Sequence, residues 1–423
     1  MNTMNTTQKA ALLMSSLSVY RGLMQRTVVK AFYELICSVD KPIREFTDAW
    51  GHFFSLLCER GCAGHWAKYL TETALYDDNA FSRAAASGKA DELPDSVRRA
   101  VQRDLSVLYR LSLLRPATIL SDYCHQDELG YVVRELPRWE NGQPAKEFFH
   151  EETFLQHLAD FYRHNGCGMF ARYRAFIWRN GNIEPVPYPD SIDLSSLKSY
   201  QVQRQAVTDN TVAFLQGVSS NNCLLYGDRG TGKSSTVKAL LNAYAKDGLR
   251  MVEMPKDRLG DFPLLIEKIA EIPLKFILFI DDLSFSSDDK SYAQLKAVLE
   301  GGLAVRPANT LIYATSNRRH IVKESFAERN GDDIHVNDTI QETLSLSDRF
   351  GLAVNFSKPT KEQYIEIVEG LAAEKQLSLD HDTLIAEAEQ FAIGRGGRSP
   401  RCAIQFIAAA EAKQKLSSAP DEP

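Results

Sequence analysis

The eight residues Gly227-Asp-Arg-Gly-Thr-Gly-Lys-Ser234 constrain this 423-residue chain more than any other feature. They match G-x-x-x-x-G-K-[ST] at every fixed position. On average composition, such a match arises by chance in on the order of one or two chains of this length per hundred. The context narrows the reading further. The apolar run CLLY at 223–226 precedes the loop, and the helix-forming stretch SSTVKALLNAYAKDG follows it. Strand, glycine loop and helix together make a cradle for phosphate. Gly227, Gly230 and Gly232 let the backbone curl with its N–H groups inward, where a Cβ would obstruct. The helix that starts near Lys233 turns its unpaired N–H groups and positive dipole end toward the anion. Asp228, Arg229, Gly230, Thr231, Gly232, Lys233, Ser234 and Ser235 are the expected contact residues. Lys233 brings a mobile charge to the β- and γ-phosphates of a nucleotide, and Ser234 brings a hydroxyl for Mg2+.

A second element supports the first. In FILFIDDLSF, an apolar strand ends at Asp281-Asp282. A carboxylate at a strand tip beside a phosphate loop holds Mg2+ through water, and Asp281 fits that role. Asp282 then stands where it would orient or deprotonate the attacking water. The predicted cofactors are thus a nucleoside triphosphate and Mg2+.

From about residue 191, short β-rich runs alternate with helical segments. The runs are 223–226, 249–254, 275–280, 310–315 and 352–356. Such alternation predicts a parallel sheet with helices on both faces. The expected organisation is a mostly helical N-terminal domain over 1–125 and a mixed connecting region over 126–190. A nucleotide-binding α/β domain over 191–357, a helical segment over 358–415 and a disordered tail over 416–423 complete it. In the first of these, Tyr20, Leu23, Met24, Val28, Phe32 and Leu35 recur at helical spacing. Ile43, Phe46, Trp50, Phe53 and Leu57 repeat the stripe, as do Val97, Val101, Leu105 and Leu108. Arg99, Arg103 and Arg110 share one helix face, which reads as solvated.

In the connecting region, Asn180-Gly181 signals a hairpin turn, and Pro185, Pro187 and Pro189 read as a linker. Arg172, Arg174 and Arg179 interleave there with Tyr173, Phe176 and Trp178. Two readings stand: a half-buried strand with one solvated side, or a stacking surface for single-stranded nucleic acid. The net charge of −6 speaks against bulk nucleic-acid binding. Seven cysteines, an odd and scattered set, suit a reducing compartment better than a disulfide framework. Cys58, Cys62 and His65 have no second half-site and read as ordinary side chains rather than metal ligands. No run of 18 apolar residues occurs, so no membrane span is expected, and the cytoplasm is the expected location.

No NKxD-type guanine motif and no LSGGQ-type signature is present. Four further features resemble the AAA+ ATPases, and ATP is the nucleotide this resemblance implies. TLIYATSN ends in Asn317, like that family's first sensor at the tip of a strand between the phosphate loop and the metal strand. LSLSDRFG places Arg349 just before the run 352–356, like the arginine finger. The segment 358–415 is similar to the family's lid. Within it, GGRSPRCAIQF is similar to the second sensor, with Arg401 at the matching position and Arg398 beside it. LLYGDRGTGKSS, FIDDLSF, ATSNRRH and LSLSDRFG resemble one bacterial family of AAA+-type ATP-binding proteins known only by a domain of unknown function. Helicase loaders and transposition helper ATPases resemble the chain more distantly.

The resemblance implies an ATPase that works as a homo-oligomer, because an arginine finger acts across a subunit boundary. A salt bridge of Arg349 with Asp348 or Glu342 is the competing reading of that residue. The family's catalytic acid is usually Glu, whereas this chain has Asp282, one methylene shorter; slow or activator-dependent turnover is expected. Arg318 and Arg319 follow the first sensor, at a subunit edge, near DNA or simply in solvent. Leu197 and Tyr200 stand either against the adenine or in the core. Three functions compete: an ATPase that remodels or loads an unknown protein partner through its N-terminal domain, a nucleotide-gated adaptor with little turnover, and a DNA-associated ATPase.

Overall fold

The computed structural model describes residues 4–123, 130–148, 153–284, 290–300, 307–317 and 349–417. Arg318, Arg319, Glu342, Asp348 and the tail beyond 417 lie outside the described residues. The chain forms two compact units, Met1–Arg172 and Tyr173–Pro423.

The first unit is helical, and its apolar stripes supply its core. Phe32 and Leu35 in Thr27–Cys37, Phe46, Trp50, Phe53 and Leu57 in Ile43–Glu59, and Leu105 and Leu108 in Asp95–Ser112 are all fully buried. Their rings pack edge and face on one another. Phe53 meets Trp66 at 5.2 Å and 89°, and Trp139 at 5.0 Å and 86°. Asp104 is buried with its charge satisfied, since Oδ2 accepts the backbone N–H groups of Ser18 at 2.8 Å and Tyr20 at 3.2 Å. Arg99, Arg103 and Arg110 are exposed, and Arg103 donates to Ser16 O at 3.0 Å. Cys58 is exposed while Cys62 is buried against Leu57 O.

Among the described residues, the second unit is built on a seven-stranded sheet in the order β2-β1-β4-β5-β6-β3-β7. The strands are β1 Ala175–Arg179, β2 Asn182–Pro185, β3 Cys223–Gly227, β4 Leu249–Glu253, β5 Lys275–Ile280, β6 Thr310–Ser316 and β7 Leu352–Phe356. All five expected runs are strands, and every pairing is parallel except β1 with β2. Position in the sheet follows composition. Phe276 to Ile280 in β5 and all of β6 are buried, as a central strand covered on both faces requires. β7 alternates buried Val354 and Phe356 with exposed Ala353 and Asn355, as an edge strand does.

Asn180-Gly181 forms the hairpin turn, with both residues at positive φ. The hairpin extends the sheet through β1 against β4. Phe176 and Trp178 are buried, and Trp178 Nε1 donates to Asp261 Oδ2 at 2.9 Å. Arg179 meets Glu184 at 3.3 Å. The stacking surface for single strands therefore loses its aromatic platform, because the sheet packs those rings inside.

After β7 come three helices, Lys361–Glu374, His381–Gly394 and Pro400–Ser417. They close a core of their own around Tyr364, Ile367, Ala403 and Phe406. Thr360 begins the first with a capping box through Gln363. No helix among the described residues is long and apolar enough to cross a membrane.

Candidate active site

The C-terminal ends of β3, β5 and β6 lie side by side, and every parallel strand delivers its last residues to this edge. β3 ends at Gly227, whose φ is +128°. A Cβ there would sit 2.4 Å from Phe356 O, so only glycine lets β3 pass β7 and enter the loop. Gly230 at φ +77° and Gly232 at φ +92° complete the curl. The loop is held by Thr231 Oγ1, which donates to Asp228 O at 2.8 Å, and by Lys358 N, which donates to Asp228 Oδ2 at 2.8 Å. The helix Lys233–Tyr244 starts immediately afterwards.

Lys233 is 6% exposed. Its ammonium donates to Gly227 O at 3.1 Å, to Asp228 O at 2.6 Å and to Asn317 Oδ1 at 3.4 Å. Burial pushes its pKa down, against the pull of Asp228, Asp282 and Asp281. Ser234 Oγ donates to Asp281 Oδ1 at 2.6 Å. The same carboxylate oxygen accepts from Thr315 Oγ1 at 2.5 Å and from Asp282 N at 3.1 Å. Asp282 has φ +52°, a left-handed conformation that Asp enters more readily than most residues. That turn aims its carboxylate at Asn317, whose Nδ2 donates to Asp282 Oδ1 at 2.6 Å. Thr315 Oγ1 also accepts from Asp282 N at 3.0 Å, which fixes the turn.

A cleft of about 730 Å3 opens over these groups, lined by Lys233, Ser234, Asp281, Asp282, Asn317 and Arg401 among others. Arg401 arrives on the last helix, and its backbone N–H donates to Gly230 O at 3.1 Å. Arg398 is held by Glu389 in a two-pronged pair, at 2.8 and 2.6 Å. A smaller cavity adjoins the cleft and shares Leu197, Gly232, Pro400 and Ile404 with it. Leu197 lines both, and its carbonyl accepts from Arg204. Tyr200 lines the smaller one, packs on Phe356 at 5.3 Å and donates to Ser357 O at 2.6 Å.

The structure thus brings together every predicted site residue but Arg349. Register explains that exception. Cys223 pairs with Leu352 and Gly227 with Phe356, so β7 begins at the far end of the sheet from the loop. The two ends of β3 are separated by roughly 13 Å at the usual strand rise. Arg349 lies a further three residues back from Leu352. Sequence reasoning missed Thr315. Ile280 pairs with Ala314, so the next residues along, Asp281 and Thr315, come side by side; only the register of β6 on β5 reveals it.

The family model for "Protein of unknown function (DUF815)" matches residues 171–414. The chain belongs to that family. The DUF815 match begins at the division between the two compact units and leaves most of the helical unit outside it. Solved structures of Thermotoga maritima RuvB also match. The RuvB Holliday junction branch migration motor is 14% identical with a TM-score of 0.39, covering 54% of this chain and 67% of that one. Two single-residue mutants of the same RuvB match at 14% and 15% identity, each with a TM-score of 0.39 and the same coverage. No curated protein matches the chain. In this DUF815 member five parallel strands run in the order β4-β5-β6-β3-β7, with the glycine loop after a strand set between two others.

Proposed function

We propose that the chain is a Mg2+-dependent ATPase of the AAA+ class that couples nucleotide state to a partner protein. The observation that carries this reading is the convergence of Lys233, Ser234, Asp281, Asp282 and Asn317 through contacts of 2.6 to 3.4 Å at one sheet edge. In this reading the backbone amides of 228–234, Lys233 and Arg401 grip the triphosphate. A hydroxyl and a carboxylate 2.6 Å apart are hard oxygen donors that suit Mg2+, so Ser234 and Asp281 would hold it. Bound there, Mg2+ would neutralise charge on the β- and γ-phosphates. Asp282 and Asn317 align the attacking water, with the Asp282 carboxylate as proton acceptor.

Arg349 completes the site from a neighbouring copy. Its place at the opposite end of β7 from its own loop favours action in trans over action in cis. A homo-oligomer follows from this reading, and the cytoplasm is its proposed location. Loss of the γ-phosphate would free the lid helices from the loop, and residues 1–172 would carry the change to the partner. One observation favours a second reading, a nucleotide-gated adaptor with little turnover. The short carboxylate of Asp282 is already engaged by Asn317 Nδ2 at 2.6 Å.

ATP binding by the unmodified chain and by Lys233→Ala tests the proposal. The substitution removes a charge-assisted contact and should weaken binding about tenfold or more. Equal affinity in the two chains would overturn the phosphate-loop assignment.

A further inference from the structure

Beside the nucleotide cleft lies a second cavity of about 500 Å3. It shares Arg229, Gly230, Asn317 and Arg401 with the cleft, so the two are joined at the phosphate end. Every described residue of its lining is charged, polar or glycine, with no apolar side chain among them. Arg229, Lys358, Arg395, Arg398 and Arg401 face Asp228 as the one carboxylate among the described lining residues. Arg398 is matched by Glu389, which leaves four cations against one anion. Among the described residues, Asp228 Oδ2 accepts from Lys358 N at 2.8 Å and is in no ion pair with a cation's head group.

The turn that carries Arg395 and Arg398 is built in place. Helix His381–Gly394 ends with Gly396 at φ +83°, and Gly397 N donates to Ala392 O at 2.9 Å, the closing bond of a Schellman turn. Lys358 Nζ lies against that turn, 3.5 Å from where a Cβ on Gly397 would stand. The Arg395 guanidinium lies over the Phe391 ring at 5.3 Å.

We infer that this cavity is a second anion site and that it takes the inorganic phosphate cleaved from the nucleotide. The inference rests on the ATPase reading. In hydrolysis, the water oxygen bonds to the γ-phosphorus and the bond from that phosphorus to the β,γ-bridging oxygen breaks. The bridging oxygen leaves with ADP, and the proton passes to Asp282 or solvent. The freed phosphate is then flanked by Arg229, Asn317 and Arg401, the groups that also open onto the second cavity. A lining whose described residues are cations, polar groups and glycine suits a small hydrated oxyanion; a base or a peptide side chain would find no apolar surface among them to pack on.

The test is equilibrium binding of radiolabelled orthophosphate to the full chain, with the loop filled by Mg2+ and a non-hydrolysable β,γ-imido ATP. Filling the γ-position leaves the second cavity as the expected phosphate site. The expected result is one phosphate per chain. The double substitution Lys358→Ala and Arg395→Ala should weaken phosphate binding by about tenfold or more while the analogue's affinity stays the same. Retained analogue binding also reports an intact fold. Phosphate should inhibit turnover of the unmodified chain without competing with ATP. No bound phosphate with the loop filled, or binding that survives the double substitution, would overturn the inference. So would a double variant that changes only self-association, which would point to a neighbouring carboxylate as the occupant. Failure of the ATPase reading looks different: the unmodified chain would not bind the analogue, or would bind it and show no ATP turnover above the Lys233→Ala level, and phosphate binding would then be compared in Lys233→Ala with and without the double substitution.

Discussion

The Lys233 ammonium sits among oxygens at 2.6, 3.1 and 3.4 Å, and burial holds its pKa below the ordinary 10.5. The shift works against the free chain at neutral pH, and the cost fades as pH rises through the lowered value toward 10.5. Bound phosphate restores the charged form. ATP affinity should therefore fall as pH rises through the lowered lysine pKa, sooner than an exposed lysine would dictate. A titration of ATP affinity from about pH 7 to about pH 10 checks this; affinity that stays flat across the window contradicts it.

Gly227 makes a prediction about stability. Gly227→Ala places a Cβ 2.4 Å from Phe356 O at φ +128°, whereas Gly217→Ala meets open space at φ +73°. The second should cost about 1–2 kcal/mol of left-handed strain and the first clearly more. Thermal melts separate them, at about 2–4 °C per kcal/mol for a unit of this size. Equal melting temperatures would mean that β3 and β7 tolerate the contact. At this scale the sequence was readable where chemistry depends on local spacing, as at Lys233, Ser234, Asp281 and Asn317. Thr315 was not, because its contact with Asp281 is created by pairing between strands distant in the chain.

Strands were readable as elements because central strands carry long apolar stretches, FILFI in β5 and LIYA in β6. KFILFI and TLIYATS are covered on both faces, so neither needs alternation to be recognised. The hairpin turn at Asn180-Gly181 was readable from its φ requirement, but the pairing of β1 with β4 was not, since nothing local encodes it. Arg349 is an element-scale question. Its position ahead of β7 is fixed by the parallel register with β3, at the end away from the loop. Arg349→Ala should keep ATP affinity and lose turnover by several orders of magnitude, as loss of an arginine finger does. Steady-state kinetics with a parallel binding assay checks this. Normal turnover in the variant would return Arg349 to a structural role.

At the scale of the molecule, the chain is two units with separate cores, one all-helical and one built on the sheet. The change to strand–helix alternation at about 191 marks only part of the second unit. Its compact body starts at Tyr173, because β1 and β2 join the sheet ahead of the helix Gln201–Leu215. The helical unit carries buried aromatics and few groups that translate into chemistry, so its partner was not legible. In the sheet unit, the proposed nucleotide site is assembled at one sheet edge and completed by Arg349 of another copy. ATP hydrolysis per chain, measured against protein concentration with Mg2+ and with Lys233→Ala as the blank, tests it directly. The rate per chain should rise with concentration as copies associate. A rate that stays at the level of the blank at every concentration would contradict it.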